Sequence, residues 1–179
     1  MSKMHEIRIA SVAVLFAAWS YSAQAQLDGS TINVSAYYPD TSSVYQNGGN
    51  TVVSGSTEYP TGSFPSYNPT WSVDVTDNQM IITGSGFPYG VASFNGWVLT
   101  ILSGPEITSA AADPSSQFFP VGISIVGGDQ LFLNYSGVDG NGVESSIIDI
   151  NSSSVPDGGL TIALLGTALA GLSLIRRKF

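Results

Sequence analysis

Apolar and polar residues alternate through most of the central part of this chain, and short turn sequences separate the alternating runs. The run 70–75, TWSVDV, places Trp71, Val73 and Val75 on one face. Alternation with a period of two indicates β-strands that bury one face. Further runs of this kind, at times with both faces apolar, are 96–102 (GWVLTIL), 121–126 (VGISIV), 130–135 (QLFLNY) and 144–150 (ESSIIDI). Because no central segment shows a convincing 3.6-residue apolar repeat, the pattern predicts an all-β domain.

Turn-forming residues mark where these strands reverse. Asp77-Asn78 predicts a tight hairpin, Gly127-Gly128-Asp129 predicts a second, and residues 139–142, DGNG, connect the last two runs. Earlier in the chain we expect strands at 31–37 and 51–57, then irregular structure up to Trp71. Short strands at this spacing predict an antiparallel β-sandwich, of which a jelly roll is one form.

The first 25 residues are typical of a secretory signal peptide. Lys3 and Arg8 form a positive start, and the apolar run 9–19 follows them. An Ala-Gln-Ala sequence then supplies the small-residue pattern that signal peptidase recognises. A buried N-terminal helix is the alternative, but the cationic start and the small-residue site favour a signal peptide cleaved between Ala25 and Gln26.

The region 26–154 is then the exported domain, and its 129 residues are enough for one core. Of the 13 acidic residues in the chain, Glu6 and Asp157 lie outside this region, which leaves 11, against no Lys, Arg or His. Such a surface repels phosphate groups, so we exclude nucleic acid and anionic lipid as partners. The chain has no cysteine, so its stability depends on burial and strand pairing rather than on disulfides.

The C-terminal stretch 160–175 is apolar and uncharged, and Arg176, Arg177 and Lys178 follow it directly. As a helix of 16 residues it spans roughly 24 Å, against roughly 30 Å for the hydrocarbon core, and snorkelling arginines extend its reach. Its place against the cationic cluster favours a transmembrane helix over a core helix. By the positive-inside rule the cations stay in the cytoplasm, so the acidic domain lies outside.

The motif before this helix consists of Val155, Pro156, Asp157, Gly158 and Gly159. Together with the helix and the cations it resembles the PEP-CTERM sorting signal in its Val-Pro-Asp-Gly/Ser-Gly form. The common form of that signal has Glu in place of Asp157 and Pro in place of Gly158. The resemblance covers 155–179 and implies processing by an exosortase, with an association with exopolysaccharide and the biofilm matrix. A plain linker to a permanent membrane anchor is the alternative.

The residue types of the exported domain exclude most catalytic chemistry. The one histidine, His5, lies in the leader, so region 26–154 cannot form a Ser-His-Asp triad, a Schiff base or a His/Cys zinc site. The glycines at 48–50, GGN, precede no lysine or helix pattern and are not a phosphate loop. A pair of carboxylates could hydrolyse a glycosidic bond, but no motif selects two from Glu58, Asp74, Glu106 and Glu144. We therefore expect no enzyme.

The turn 139–144, DGNGVE, is the strongest candidate for a calcium site. Asp139, Asn141 and Glu144 bring oxygen ligands together, but Val143 and Ile150 stand where an EF-hand loop needs ligands. Asp-Gly and Asn-Gly are also ordinary turn residues, which favours a turn alone. We expect no cofactor and no metal site.

Aromatic residues favour a second class of function. Exposed rings can stack on sugars, as in carbohydrate-binding modules, whereas buried rings close the ends of a sandwich. Packing is the favoured interpretation for each tyrosine, and Trp71 and Trp97 are expected in the core. The tyrosines of the loop-rich first half are Tyr37, Tyr38, Tyr45, Tyr59, Tyr67 and Tyr89.

These patterns predict an exported, non-enzymatic β-sandwich protein. Signal peptidase would cleave it, an exosortase-type enzyme would process it at the inner membrane, and the product would reach the cell surface or extracellular matrix. Its expected role is structural or interactive, with exopolysaccharide as a further partner. A carbohydrate-binding module with the same sorting signal is the alternative, and a secreted glycosidase is the third hypothesis.

Overall fold

The computed structural model describes residues 26–65, 70–85, 88–140 and 142–153. Within these ranges the regular structure is β-strand, with no helix, which confirms the predicted all-β class. In chain order the strands are β1 Thr31–Tyr37, β2 Val44–Val52, β3 Ser72–Val75, β4 Gln79–Ser85, β5 Gly96–Ser103, β6 Ile107–Ala112, β7 Gly122–Val126, β8 Gln130–Asn134 and β9 Val143–Ser152.

The strands form two antiparallel sheets. One has five strands in the order β2-β1-β5-β8-β7, and the other has four in the order β3-β4-β9-β6. The pairs β1–β2, β3–β4 and β7–β8 are hairpins, whereas the chain changes sheet after β2, β4, β5, β6 and β8. Strands that follow one another in sequence therefore often lie in different sheets, and the two sheets enclose a single core between them.

Both predicted hairpins are present. Val75 pairs with Met80 across the Asp77-Asn78 turn, and Val126 pairs with Gln130 across the second turn. Gly127 and Gly128 have φ values of +66° and +80°, a backbone conformation that glycine adopts without strain. The connection at 139–142, of which Asn141 is not described, leads from β8 in the five-stranded sheet to β9 in the four-stranded sheet.

The core lies between the inner faces of the two sheets. On β5, Trp97 and Leu99 are fully buried, and their cross-strand neighbours on β1 and β8 are buried as well. Trp71, the residue before β3 of the other sheet, lies with its ring centroid 5.9 Å from that of Trp97, so both tryptophans are in the core as expected. The Trp97 Nε1–H donates to the Tyr89 hydroxyl at 3.0 Å, which satisfies a buried polar group.

One expected strand was wrongly placed, and one strand was not predicted. The second strand occupies Val44–Val52 rather than 51–57, so the Gly-Gly-Asn sequence lies within a strand instead of a loop. β6, Ile107–Ala112, was not predicted, because its sequence ITSAAA shows almost no apolar alternation. On β5 both faces are covered at Trp97 and Val98, as expected, but Leu102 near the strand end is 50% exposed.

A bulge explains how two glycines fit within β2. Asn33 pairs with Asn50 and Ser35 pairs with Asn47, so Val34 lies opposite two residues, Gly48 and Gly49. Gly49 has a φ of +84°, which residues with a Cβ rarely adopt. The bulge lets an edge strand continue where the sequence suggested a loop.

Both ends of the described domain lie at the same end of the sandwich. Leu27 N donates to Asp77 O at 3.1 Å, and Ile150 N, near the end of β9, donates to Asn78 O at 2.7 Å. The β3–β4 turn therefore contacts both the first and the last part of the domain. We call this the terminal end; the loop 38–43, which joins β1 and β2, lies at the far end.

No helix within the described ranges is long and apolar enough to cross a bilayer. The predicted signal peptide, 1–25, and the predicted transmembrane helix, 160–175, lie outside those ranges.

Candidate functional site

Charge is distributed unevenly between the two sheets. The strands of the five-stranded sheet contain no Asp, Glu, Lys, Arg or His, although the region 26–154 carries 11 acidic residues. The strands of the four-stranded sheet carry Asp74, Glu144 and Asp149. The outward face of the five-stranded sheet is thus a neutral surface on an acidic domain.

Amide and hydroxyl groups occupy much of this neutral face. The Asn33 Nδ2 group donates to Asn47 Oδ1 at 2.8 Å and to Asn50 Oδ1 at 3.1 Å, and Ser35 Oγ donates to Asn33 Oδ1 at 2.8 Å. Thr100, the partner of Asn33 on β5, extends the row. Because these groups bond to one another across strands, the face presents an ordered set of hydrogen-bonding side chains.

An aromatic pocket of about 190 Å³ opens on the same face, at the far end of the sandwich. Phe132, partly exposed on β8, meets Phe94 edge to face with ring centroids 5.9 Å apart. Polar groups border the rings, and we call this the Phe132 pocket. Its walls also include Thr41, Gly122, Ser124 and Asn134.

The polar groups of the Phe132 pocket differ in how they are held. Asn134 Oδ1 accepts hydrogen bonds from Asn95 N at 3.1 Å and Ser136 N at 3.0 Å, so its side chain is fixed. The Thr41 and Ser124 hydroxyls form no hydrogen bond within the described ranges, and both residues are exposed. The pocket therefore combines a rigid amide with two hydroxyls that can serve a ligand.

The loop that carries Thr41 is anchored by a carboxylate. Asp40 Oδ1 accepts from Ser42 N at 2.9 Å and from Ser42 Oγ at 2.7 Å. These hydrogen bonds, of which the one from the Ser42 hydroxyl is the largest cause, lower the pKa of Asp40 below its usual value. Asp40 is therefore ionised at neutral pH and holds the loop as an Asx turn.

The tyrosines of the first half do not form one binding surface. Tyr59 and Tyr89 are 2% exposed and belong to the core. Tyr38 and Tyr45 are exposed, while Tyr37 is half-buried with its ring centroid 6.4 Å from that of Phe94. Tyr67 lies outside the described residues. The pocket was not found from the sequence, because tyrosines were considered and the rings of the pocket are phenylalanines. Phe132 was nevertheless visible as an apolar residue on the polar face of QLFLNY.

The carboxylates considered for catalysis are spread over the domain. Glu58 has a structural part: Oε1 accepts from Ser54 N at 2.8 Å and Oε2 accepts from Val75 N at 2.7 Å. Asp74 is on β3 and Glu144 is on β9, with β4 between these two strands, and Glu106 lies in the β5–β6 loop. These four carboxylates therefore lie on four different elements of the domain.

The calcium candidates are only partly described. Asp139 is exposed in the β8–β9 connection, Glu144 is half-buried at the start of β9, and Asn141 is outside the described ranges. Within those ranges no group of three or more acidic, His or Cys side chains could hold a metal ion. Glu144 instead borders a cavity of about 10 Å³ beside Trp71, whose buried Nε1 has no hydrogen-bond partner there. That volume suits about one water molecule.

The residues of the predicted sorting signal lie outside the described ranges, as does Ala25 at the predicted cleavage site. These include Val155, Pro156, Asp157, Gly158 and Gly159, and the cations Arg176, Arg177 and Lys178. Gln26, the residue after the predicted cut, is described: its Nε2 donates to Asp77 Oδ2 at 3.1 Å. The first residue of the predicted mature protein is thus held against the terminal end.

Comparison with known families agrees with the motif. Residues 154–179 carry a PEP-CTERM-type sorting signal, a class of signal found at the C-terminus of exported proteins. More particularly, the family model that matches these residues is the VPDSG-CTERM motif. Gly158 stands where that motif's name has Ser. The chain matches no curated protein and no solved structure.

Proposed function

We propose that this protein is exported, processed at its C-terminal signal by an exosortase-type enzyme, and retained at the cell surface or in the extracellular matrix. There it acts through binding or structure rather than catalysis, in association with exopolysaccharide or biofilm. The observation that carries the proposal is the VPDSG-CTERM match at residues 154–179. Recognition of this signal by an exosortase-type enzyme would explain why the motif, the apolar stretch and the cations occur together.

The composition of the domain supports an external location. Between Ile9 and Ile175 the chain has no Lys or Arg, and the cations lie at its two ends. Positive residues resist transfer across the membrane and stay on the cytoplasmic side. A domain without them fits export, and the predicted signal peptide at 1–25 supplies the route.

The residue types that the exported region lacks support a non-catalytic role. The exported region has no Cys, His, Lys or Arg from which a nucleophile, a general base near neutral pH or a phosphate clamp could be built. One of its carboxylates, that of Glu58, is used to hold backbone N–H groups. We therefore propose a protein that binds or assembles rather than an enzyme.

Intact-mass measurement of the protein recovered from membranes and from the medium tests the proposal. Export and processing predict a species that begins at Gln26 and ends near Val155. Retention of Phe179 in every fraction would overturn processing and leave a permanent anchor. Protection of residues 26–153 from surface labelling in intact cells would overturn export itself.

A pair of matched double variants tests the motif. Pro156→Ala with Asp157→Ala is expected to abolish C-terminal processing, since both changes fall within the matched signal. Asp113→Ala with Pro114→Ala alters the same residue types in a surface loop of the sandwich and is expected to leave processing intact. Equal processing of the two variants would contradict the assignment of the motif.

A further inference from the structure

We propose that the neutral face of the five-stranded sheet binds an uncharged polysaccharide, with one sugar unit seated in the Phe132 pocket. This inference deepens the proposed matrix role. It rests on that role only for the location at which the protein meets a polysaccharide. The juxtaposition that supports it is an aromatic ring, two available hydroxyls and a row of amides on a sheet whose five strands carry no charged residue.

Charge selects the class of ligand. An acidic polysaccharide would approach a domain whose formal charge is −11 and would meet no Lys or Arg on it. Repulsion of that kind is long-ranged at low salt. A neutral polysaccharide avoids this repulsion, and the five strands of this sheet carry no acidic residue, whereas β3 and β9 of the other sheet carry three.

The groups on the face match the chemistry of sugars. A sugar ring has an apolar face of C–H groups and a rim of hydroxyls that both donate and accept. The partly exposed ring of Phe132 can pack against the apolar face, while the hydroxyls of Thr41 and Ser124 can exchange hydrogen bonds with the rim. The pocket is smaller than the roughly 300 Å³ or more typical of sites for drug-sized ligands, which suits a single ring.

The row of amides gives the remainder of the bound polysaccharide a path across the sheet. Asn33, Asn47 and Asn50 lie on β1 and β2, on the other side of β5 from Phe132. Adjacent strands lie about 4.8 Å apart, so β1 and β8, which both flank β5, are separated by about 10 Å. A sugar in the Phe132 pocket and amides on β1 are therefore within the reach of one short oligosaccharide.

Gly122 keeps the Phe132 pocket open. It is exposed on the edge strand β7, and a Cβ placed on it would contact nothing nearer than the Asn134 Cβ at 3.9 Å. Its φ is not in the left-handed region, so other residues can adopt its backbone conformation. A larger side chain here would fill the pocket without disturbing the core.

Affinity electrophoresis of the full chain tests the inference, because an acidic protein with a pI near 4.1 migrates well at neutral pH. The protein is extracted in a detergent without a sugar head group and run in native gels that contain dextran, hydroxyethyl cellulose, laminarin or galactomannan. Gels with polygalacturonate provide the anionic comparison. We expect retardation by at least one neutral polymer and none by polygalacturonate.

Variants assign the binding to the pocket. Gly122→Leu and Phe132→Ala are each expected to raise the apparent dissociation constant for the polymer, obtained from the retardation, about tenfold. Gly55→Leu is the matched control, because Gly55 is exposed and a Cβ added to it would have no atom within 4 Å. Gly122→Leu keeps the test valid if Phe132→Ala impairs folding.

Each remaining outcome overturns the inference. Failure of all four neutral polymers to retard the protein removes the ligand class, and unchanged retardation of Gly122→Leu removes the pocket. A concentration-dependent dimer in light scattering that Gly122→Leu abolishes would show that a second copy covers the face instead. Correct terminal processing alongside any of these results would leave the proposed function standing.

Discussion

The hydroxyl of Tyr59 fills the bulge of β1 and β2: it accepts the Val34 N–H at 3.0 Å and donates to Gly49 O at 2.8 Å. Val34 cannot pair normally there because it faces two residues of β2. The missing side chain of Gly48 leaves space for the ring, since a Cβ on Gly48 would lie 2.7 Å from Tyr59 Cε1. A residue outside the sheet thus completes the hydrogen bonding of two of its strands.

Replacement of Tyr59 by Phe is expected to lower the free energy of unfolding by about 1–3 kcal/mol, because the change leaves the buried Val34 N–H without an acceptor. Urea denaturation followed by tryptophan fluorescence measures the loss. Tyr38→Phe serves as the control, since Tyr38 is 42% exposed. Equal effects of the two variants would contradict a structural part for the Tyr59 hydroxyl.

A methyl group at Gly96 is expected to disrupt the centre of the five-stranded sheet. A Cβ there would lie 1.9 Å from Leu133 O on the neighbouring strand β8, and that backbone oxygen cannot move aside without breaking the pairing. Gly96→Ala should therefore cost about 3 kcal/mol or prevent folding. Gly55→Ala, which meets nothing within 4 Å, should change stability by less than about 1 kcal/mol in thermal melting.

A buried hydrogen bond joins the two sheets through Tyr135 and Ser146, whose hydroxyl oxygens are 2.8 Å apart. Tyr135→Phe should cost about 1–3 kcal/mol because it leaves the fully buried Ser146 hydroxyl without this partner. The double variant with Ser146→Ala should cost less than the sum of the single variants, by about 1 kcal/mol. Strict additivity in a denaturation cycle would show that the two groups do not interact.

Stability is expected to fall as the pH rises above 10. Burial raises the pKa of Tyr59 to about 12, against 10.0 for the free side chain, and burial also raises the pKa of Tyr135. Between these values the unfolded chain loses protons that the folded chain keeps, so the free energy of unfolding decreases, by at most about 1.4 kcal/mol per pH unit for each tyrosine. Well below pH 10 both states keep these protons, so these residues add no pH dependence there.

Denaturation at a series of alkaline pH values checks this slope. Tyr135→Phe should flatten it, since the substituted residue no longer titrates. A wild-type slope that the substitution leaves unchanged would show that the burial of Tyr135 does not govern alkaline unfolding.

The parts of the fold that sequence reasoning could predict are those where apolar alternation runs up to a turn signal. β3, β4, β7 and β8 satisfy that condition, and their two hairpins are confirmed. β2 has only half-buried and exposed positions, and its bulge depends on Tyr59, seven residues beyond the strand end. A strand that is completed by a distant hydroxyl leaves no periodic pattern to detect.

The candidate site was less accessible to such reasoning, because its walls come from separate stretches of the chain. Thr41 lies in the first hairpin loop, Gly122 on β7 and Phe132 on β8, and only the strand order brings them together. The sorting signal is the opposite case. It is contiguous, so its identity as a PEP-CTERM-type signal could be read without any fold, and the family comparison agrees.

The positions of the domain ends have a consequence for how the Phe132 pocket is presented. The chain leaves β9 beside the β3–β4 turn, whereas the pocket lies near the loop between β1 and β2, at the opposite pole of the sandwich. Any attachment of the polypeptide beyond Ser153 is therefore made at the terminal end of the sandwich. The long axis of the β-strands then becomes a spacer that keeps the pocket clear of the attachment point and turned toward its surroundings.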